Sequence, residues 1–208
     1  MIHNTACINM IDRLEPASVD TIFTDPPYPR EFLHCYDELA ALAVHALRPG
    51  GLVLAMSGQF HMHDLLRRMD VDGLEYRWML AYVYERPRAM IHAAKVSVGW
   101  KPILVYQRSG GGQSEFYSED TFRIPPRKGS DKANHVWGQN LHGVYAVAKE
   151  WLRPGWRVCD PFVGAGSLLL AAKRTGCEVV GCDTNPHHVE SARDLLRDDL
   201  IDQTEHNL

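Results

Sequence analysis

The chain has 208 residues, of which 45% are hydrophobic and 23% charged, and its formal net charge is −4. These values are ordinary for a globular chain with one domain that can bury a core. There is no apolar run long enough to cross a bilayer, no basic region with an apolar core at the N-terminus, and no CxxC pair among the five scattered cysteines. We therefore expect no membrane span, signal peptide, zinc site or disulfide framework, and we expect the protein in a reducing cytoplasm.

Predicted strands alternate with predicted helices along the chain. The hydrophobic pattern predicts strands near residue 2 and at 18–24, 52–56, 78–84, 103–106, 157–159 and 178–182. It predicts helices at 8–14, 32–47, 61–69, 144–152, 167–175 and 187–197. Residues 85–95 and 108–139 are predicted to be loops, the second of them mobile, and the last ten residues are predicted to fray. The alternation is typical of a parallel or mostly parallel α/β sheet.

The stretch Thr24-Asp25-Pro26-Pro27-Tyr28 follows a predicted buried strand. Proline fixes φ and lacks an N–H group, so the chain stops pairing here and is held stiffly. A carboxylate, free carbonyls and an aromatic ring therefore lie together at the carboxyl end of a strand, where open α/β sheets bind ligands. This arrangement suits a planar group with an NH2, which can stack on Tyr28 and donate to Asp25 and a carbonyl. By itself, the string is equally compatible with a Pro-Pro turn, a capping Asp and a packed Tyr.

A second motif, Asp160-Pro161-Phe162-Val163-Gly164-Ala165-Gly166-Ser167, lies between a predicted strand and a predicted helix. The glycines let the backbone approach a ligand closely, and the helix start presents free N–H groups. About twenty residues on, the next strand ends at Asp183, as in nucleotide-binding sites whose acid accepts hydrogen bonds from ribose hydroxyls. The third glycine of the dinucleotide pattern is missing, so a dinucleotide is less favoured. A tight turn capped by Ser167 is the alternative.

Charge is distributed unevenly along the chain. Between Arg86 and Lys132 there are nine basic and four acidic residues, whereas from Glu178 onward there are eight acids and two arginines. The middle of the chain can therefore face phosphates, and the tail cannot. A solvated surface of mixed charge is the alternative. The candidate nucleic-acid contacts are Arg86, Arg88, Lys95, Arg123, Arg127 and Lys128.

Taken together, the two motifs resemble those of the DNA amino-methyltransferases, which methylate adenine N6 or cytosine N4 with S-adenosylmethionine. The catalytic Asp-Pro-Pro-Tyr motif precedes the cofactor-binding Phe-x-Gly-x-Gly motif, which is the permuted order of the family's β class. The resemblance covers nearly the whole chain, including segments 47–51, 100–106 and 153–155. It implies a Rossmann-like methyltransferase fold in circularly permuted order: a mostly parallel sheet with helices on both faces, formed by a single domain of residues 1–208.

The resemblance also implies the roles of individual residues. Asp25 and the Pro26 carbonyl would accept hydrogen bonds from the target amine, and the flipped base would stack on Tyr28, with Pro27 completing the catalytic motif. No metal is needed, because the sulfonium methyl group is already activated. An Asp at position 25 favours adenine, since a Ser there is more typical of the cytosine-N4 enzymes. The cofactor S-adenosylmethionine would be held by Thr24, Asn140, Asp160, Phe162, Gly164, Ala165, Gly166, Ser167 and Asp183.

The chain departs from the family pattern at three places. An Asp that usually precedes the first motif is replaced near Thr5 and Ala6, which leaves Asn4 as an alternative contact to the cofactor. Residues 139–140 are Gln-Asn where the family often has Lys-Pro. Only residues 108–139 are available as a small target-recognition insert, so selectivity is expected to be low or to depend on a second subunit, for example in a homodimer.

The predicted function is therefore methylation of adenine N6 in DNA, as in restriction–modification systems. Cytosine-N4 methylation of DNA and methylation of RNA stay open. So does a catalytically silent methyltransferase-fold subunit that binds nucleic acid. The intact motifs argue against the silent subunit and the replaced Asp argues for it, and cofactor binding discriminates between the two.

Overall fold

The structure is a computed structural model that describes residues 1–87, 89–112, 118–124 and 141–205, with side chains described as far as Asp199. The strands are β1 (Ile2–Asn4), β2 (Val19–Thr24), β3 (Leu47–Met56), β4 (Leu74–Tyr84), β5 (Ala89–Ile91), β6 (Val96–Val98), β7 (Trp100–Arg108), β8 (Thr121–Ile124), β9 (Arg157–Asp160) and β10 (Glu178–Asp183). The helices are α1 (His34–Ala46), α2 (Met62–Arg68), α3 (Leu141–Trp151), α4 (Ser167–Arg174) and α5 (Pro186–Glu205). Within these ranges, no helix is long and apolar enough to span a bilayer.

Eight of the strands form one sheet in the order β1-β10-β9-β2-β3-β7-β4-β8. Strand β7 runs antiparallel to both of its neighbours, β3 and β4, and the other neighbouring pairs are parallel. The predicted mostly parallel sheet is therefore confirmed. Because β7 alone is reversed, its amino end lies at the same edge as the carboxyl ends of the other strands.

Apolar clusters cover both faces of the sheet. Helix α1 contributes Tyr36 to the cluster on one face, and α3 contributes Val147 to the cluster on the other. Successive residues of a strand point to opposite faces, so Ile22 enters the first cluster and Phe23 the second. A strand buried on both sides carries apolar residues on both faces, and adjacent Ile22 and Phe23 gave β2 a signal that the sequence revealed.

The boundary between α1 and β3 differs from the prediction. Leu47, predicted to end the helix, has an extended ψ of 134° and begins the strand. Residues 48–51, which lie between the predicted helix and the predicted strand, are part of β3, and the pairing of β2 with β3 shifts register between Val19 and Thr21. Pairing with a neighbouring strand decides the conformation here, and that pairing is not local in sequence.

Three segments predicted to be irregular contain regular structure. Strands β5 and β6 form a separate antiparallel hairpin that includes part of loop 85–95, and β8 lies within 108–139. Such strands of three or four residues are too short to show a period. The polar tail continues α5 to Glu205, and Asp199 is buried there because Arg174 of α4 donates to it at 2.7 Å. The predicted helix at 8–14 is reduced to a 3-10 turn at Ile8–Met10.

Candidate functional site

The ends of β2 and β9 lie side by side at the carboxyl edge of the sheet. The two strands pair in parallel, with Ile22 opposite Cys159. Their last residues are 136 positions apart in sequence, yet the Thr24 hydroxyl donates a hydrogen bond of 2.6 Å to Asp160 Oδ1. The two stretches that the sequence singled out are therefore in direct contact, at the edge where parallel sheets bind ligands.

Asp25 follows β2 and is half-buried, with a donor on each carboxylate oxygen. The Tyr28 hydroxyl donates to Oδ1, and the Lys101 ammonium donates to Oδ2 at 3.3 Å. Lys101 belongs to the amino end of β7, which the reversed direction of that strand brings to this edge. Its Nζ also lies 5.0 Å from the centre of the Tyr28 ring. We call Asp25, Tyr28 and Lys101 the Asp25 cluster.

Tyr28 is a neutral hydrogen-bond donor in this cluster. Burial, together with the charge of Asp25 and the hydrogen bond to it, raises the pKa of Tyr28 well above its usual value. Gly58, in the loop after β3, packs against the ring, because a Cβ built there would lie 3.3 Å from Tyr28 Cβ. Pro26 is buried and Pro27 is half-buried between these groups in the chain. The motif is thus fixed by contacts with β7 and with the loop that follows β3.

Asp160 is completely buried at the end of β9. Its Oδ1 accepts hydrogen bonds from Thr24 and, at 3.0 Å, from the backbone N–H of Phe162, whereas Oδ2 has no donor among the described residues. Burial raises the pKa of Asp160 to about 7, an effect that the two hydrogen bonds oppose and the charges of Asp25 and Asp183 reinforce. A buried carboxyl oxygen without a partner is a place where a donor or cation of a ligand can bind.

The turn from β9 to α4 depends on two glycines. Gly164 and Gly166 have φ values of +50° and +83°, in the left-handed region that favours glycine. Gly166 is the N-cap of α4, so Ser167 is the first residue of the helix rather than its cap. The Gly164 N–H donates to Asp183 Oδ2 at 2.9 Å, and the Asn185 N–H donates to Oδ1 at the same distance. Asp183 therefore holds the turn against the end of β10.

Gly181 in β10 leaves the space that this turn occupies. A Cβ at that position would lie 2.4 Å from the Asp160 backbone oxygen and 2.5 Å from Val163 Cγ2. The oxygen belongs to the paired backbone of β9, so we expect G181A to lower the free energy of unfolding by about 1 to 3 kcal/mol. Urea denaturation measures this loss. The control is G99A, where a Cβ would meet none of the described residues within 4 Å, and equal stability of the two variants would contradict the prediction.

Of the remaining predicted site residues, some lie within the described parts of the chain and others lie outside them. Phe162 and Ala165 are half-buried in the turn, and the exposed side chains of Arg86, Lys95 and Arg123 lie after β4, in the β5–β6 hairpin and on β8. These three are near the end of β4, because Arg123 pairs with Val83 and the hairpin follows β4 in sequence. Four predicted residues lie outside the described residues: Arg88, Arg127, Lys128 and Asn140.

Sequence reasoning missed two polar neighbours of the motifs. Lys101 lies in segment 100–106 of the resemblance but was not predicted to be a site residue, because nothing in the sequence shows that β7 is reversed. His188 is half-exposed, and its Nδ1 lies 3.2 Å from Asp183 Oδ1. Asn4 donates to the carbonyls of Asp183 and Thr184, so it links β1 to the end of β10. Within the described ranges, no three His, Cys, Asp or Glu side chains converge as metal ligands do.

Residues 150–208 match the family model of the D12 class N6 adenine-specific DNA methyltransferases. Over 243 aligned residues the chain is 20% identical to the type II methyltransferase M2.DpnII of Streptococcus pneumoniae, covering 94% of this chain and 88% of that protein. A local match of 39% identity over 64 residues joins it to the ribosomal protein L11 methyltransferase of Symbiobacterium thermophilum, with 28% of this chain and only 21% of that protein covered.

Solved methyltransferase structures have the same fold. The M1.HpyAVI–SAM complex superposes with a TM-score of 0.73 at 18% identity, covering 93% of this chain and 97% of that one. The cytosine-N4-specific PvuII DNA methyltransferase superposes with a TM-score of 0.74 at 13% identity, covering 92% and 84% of the two chains. At these identities the likeness concerns the fold, and it confirms the predicted Rossmann-like architecture. The comparisons therefore show a fold that this chain shares with DNA methyltransferases, and a segment, residues 150–208, that resembles their D12 class.

Proposed function

We propose that this protein transfers a methyl group from S-adenosylmethionine to N6 of an adenine in DNA. The observation that carries the proposal is the contact between the two motifs. The hydrogen bond from Thr24 to Asp160 brings the Asp25 cluster next to the glycine turn. An amine acceptor and a nucleoside-binding turn are then neighbours, as direct methyl transfer between two bound molecules requires.

The residues present fit the cofactor. S-adenosylmethionine carries a sulfonium and an ammonium group, and three carboxylates, those of Asp25, Asp160 and Asp183, lie at this edge of the sheet. Among the described residues, no donor reaches the buried Asp160 Oδ2, and no heavy atom lies within 4 Å of the position that a Cβ at Gly164 would take. The bound cofactor would supply an electrophilic methyl group. Thr24, Asp160 and residues 162–167 would bind the cofactor, and Asp183 would accept hydrogen bonds from its ribose hydroxyls.

The chain's own contribution to the reaction is to orient the base and its amine. The lone pair of an exocyclic amine is delocalised into the ring, which makes the amine a poor nucleophile. Hydrogen bonds from the amine to Asp25 and to the Pro26 carbonyl favour a more tetrahedral nitrogen and direct its lone pair towards the methyl group. Stacking on Tyr28 would hold the base after it leaves the helix. Asp25 also offers a carboxylate to accept the proton that the nitrogen loses.

Adenine is the base that the acid at position 25 favours over cytosine, and the family model matched by residues 150–208 is named for adenine N6. The similarity in fold to a cytosine-N4-specific enzyme keeps cytosine as the second candidate.

We further propose that residues 1–208 act as one domain, with 108–139 as a small recognition insert. Arg86, Lys95 and Arg123 are proposed to contact DNA phosphates, as are Arg88, Arg127 and Lys128.

The proposal is tested by incubating the protein with labelled S-adenosylmethionine and unmethylated duplex DNA and then separating the digested nucleosides. We expect label in N6-methyldeoxyadenosine. Label in N4-methyldeoxycytidine would show that the target base is cytosine and would leave the proposed mechanism unchanged. Label in RNA alone would show that the substrate is RNA rather than DNA. A protein that binds the cofactor but labels no nucleic acid would favour the silent subunit, and absence of cofactor binding would refute the enzyme.

A further inference from the structure

The Asp25 cluster contains a cation that amine activation does not require. The Lys101 side chain is only 12% exposed, and its Nζ lies 3.3 Å from Asp25 Oδ2. A lysine so little exposed loses hydration, which is unfavourable unless an opposite charge compensates it. The same Nζ lies above the Tyr28 ring at 5.0 Å from its centre. Lys101 is therefore held next to both the Asp25 carboxylate and the Tyr28 ring.

The base edge and the protein edge are complementary. Adenine presents its amine donor next to the ring nitrogen N1, which is an acceptor. Asp25 Oδ2 and Lys101 Nζ present an acceptor next to a donor, 3.3 Å apart. A base that stacks on Tyr28 and donates its amine to Asp25 brings N1 towards the ammonium. We infer that Lys101 reads the base by donating a hydrogen bond to this ring nitrogen, an inference that rests on the proposed function.

This contact selects bases by the protonation of one ring atom. An ammonium has three donors and no acceptor. It accepts adenine, and equally cytosine through N3, because in both the nitrogen next to the amine is an acceptor. It disfavours guanine, whose N1 carries a proton that would face the ammonium unpaired. Lys101 therefore disfavours guanine presented by the edge that carries N1–H, and this contact does not distinguish adenine from cytosine.

The contact acts on binding rather than on the methyl-transfer step. A donor on N1 withdraws electron density from the amine and so does not make it a better nucleophile. The hydrogen bond stabilises the bound state of the base, before the methyl group is transferred. Loss of Lys101 should therefore raise KM for DNA and change kcat little, whereas a lysine that merely orients Asp25 would change kcat.

The test compares K101M, which keeps the length of the side chain without its charge, with K101R, which keeps donors. A charge-assisted hydrogen bond is lost in K101M, so we expect KM for DNA to rise about 10- to 100-fold with kcat within roughly 3-fold. K101R should recover part of the loss. The matched control is K149M on α3, which removes an exposed lysine from the last turn of a helix that leads to the opposite edge of the sheet. Cofactor binding, followed by calorimetry, should be unchanged in all three variants.

A modified substrate tests the same contact without altering the protein. In 1-deazaadenine a C–H group replaces N1, so wild-type protein should show the same rise in KM on a duplex with this base at the target, and K101M should show no further rise. Equal KM values for the two duplexes, or losses that multiply in K101M, would overturn the role of Lys101 while the proposed function stands. Failure of the wild type to methylate unmodified DNA would instead refute the proposed function, and the inference with it.

Discussion

The variant D25N is expected to lose most methyl-transfer activity and to retain cofactor binding. Asn has nearly the same size as Asp, but one of its oxygens is replaced by an NH2 group and its charge is lost. The target amine then meets a second donor, and the Lys101 ammonium loses its counter-charge. Removal of a hydrogen-bonding group that acts on the reacting atom typically lowers rates about 10²- to 10⁴-fold, and we expect kcat to fall within this range.

The measurement is the initial rate of label transfer to DNA at saturating cofactor, with calorimetry of cofactor binding on the same preparations. The control is D12N, which removes an exposed carboxylate from the turn before β2. D12N should behave as the wild type. A D25N protein that keeps more than half of the wild-type kcat would contradict the proposed role of Asp25. A D25N protein that loses cofactor binding together with activity would show that Asp25 binds the cofactor rather than the target amine.

The second large effect is expected from D160N, which should change the free energy of unfolding by an amount that depends on pH. Asp160 is fully buried and burial raises its pKa to about 7, well above its ordinary value of 3.8. The unfolded chain therefore releases this proton at a lower pH than the folded protein does. From about pH 4 to pH 7 the folded state holds more protons, so the free energy of unfolding falls as pH rises. Above pH 7 the full penalty of a buried charge is present.

D160N removes this penalty and keeps the contacts. The amide oxygen can still accept from Thr24 and from the Phe162 N–H, and the amide nitrogen stands in place of Oδ2, which has no donor in the described structure. Two pH units of the titration window lie between pH 5 and pH 7. Relative to the wild type, we therefore expect D160N to gain roughly 3 kcal/mol in free energy of unfolding between pH 5 and pH 8.

Urea titrations of both proteins at pH 5 and pH 8, without cofactor, measure this difference. D70N is the control for loss of an exposed carboxyl group. T24V provides a second comparison, because it removes a hydrogen bond that stabilises the Asp160 carboxylate and should therefore increase the loss of stability at high pH. A stability difference between D160N and the wild type that is the same at both pH values would show that Asp160 is not neutral in the folded protein at low pH.

The parts of the fold that the sequence predicted are those with a strong local signal. Strand β2 is apolar on both faces, and α1 repeats its apolar residues at helical spacing, so both were found within a few residues. The segments that were missed have no such signal. Strand β8 has four residues and is defined by its pairing with β4. The buried end of α5 depends on the ion pair between Asp199 and Arg174, two residues on different helices.

The candidate site was predictable for a related reason. Its two motifs each follow a buried strand, and the rule that carboxyl ends of parallel strands share an edge predicts that they lie at the same edge. The rule does not say that β2 and β9 are neighbours, nor that Thr24 and Asp160 touch. Lys101 was not predictable from the rule at all, because it reaches this edge from the amino end of the one reversed strand.

The pairing of β2 with β9 also has a consequence for the order of events during synthesis. Strand β2 is held by β3 on one side and β9 on the other, and β9 is made more than 130 residues after β2 begins. Until then β2 is an edge strand, and five of its six residues are ones that the folded protein buries, a state that favours aggregation. One edge of β2 therefore stays unpaired until the ribosome has synthesised β9, at about three quarters of the chain. The same event that closes the sheet also brings Asp160 to Thr24 and completes the site.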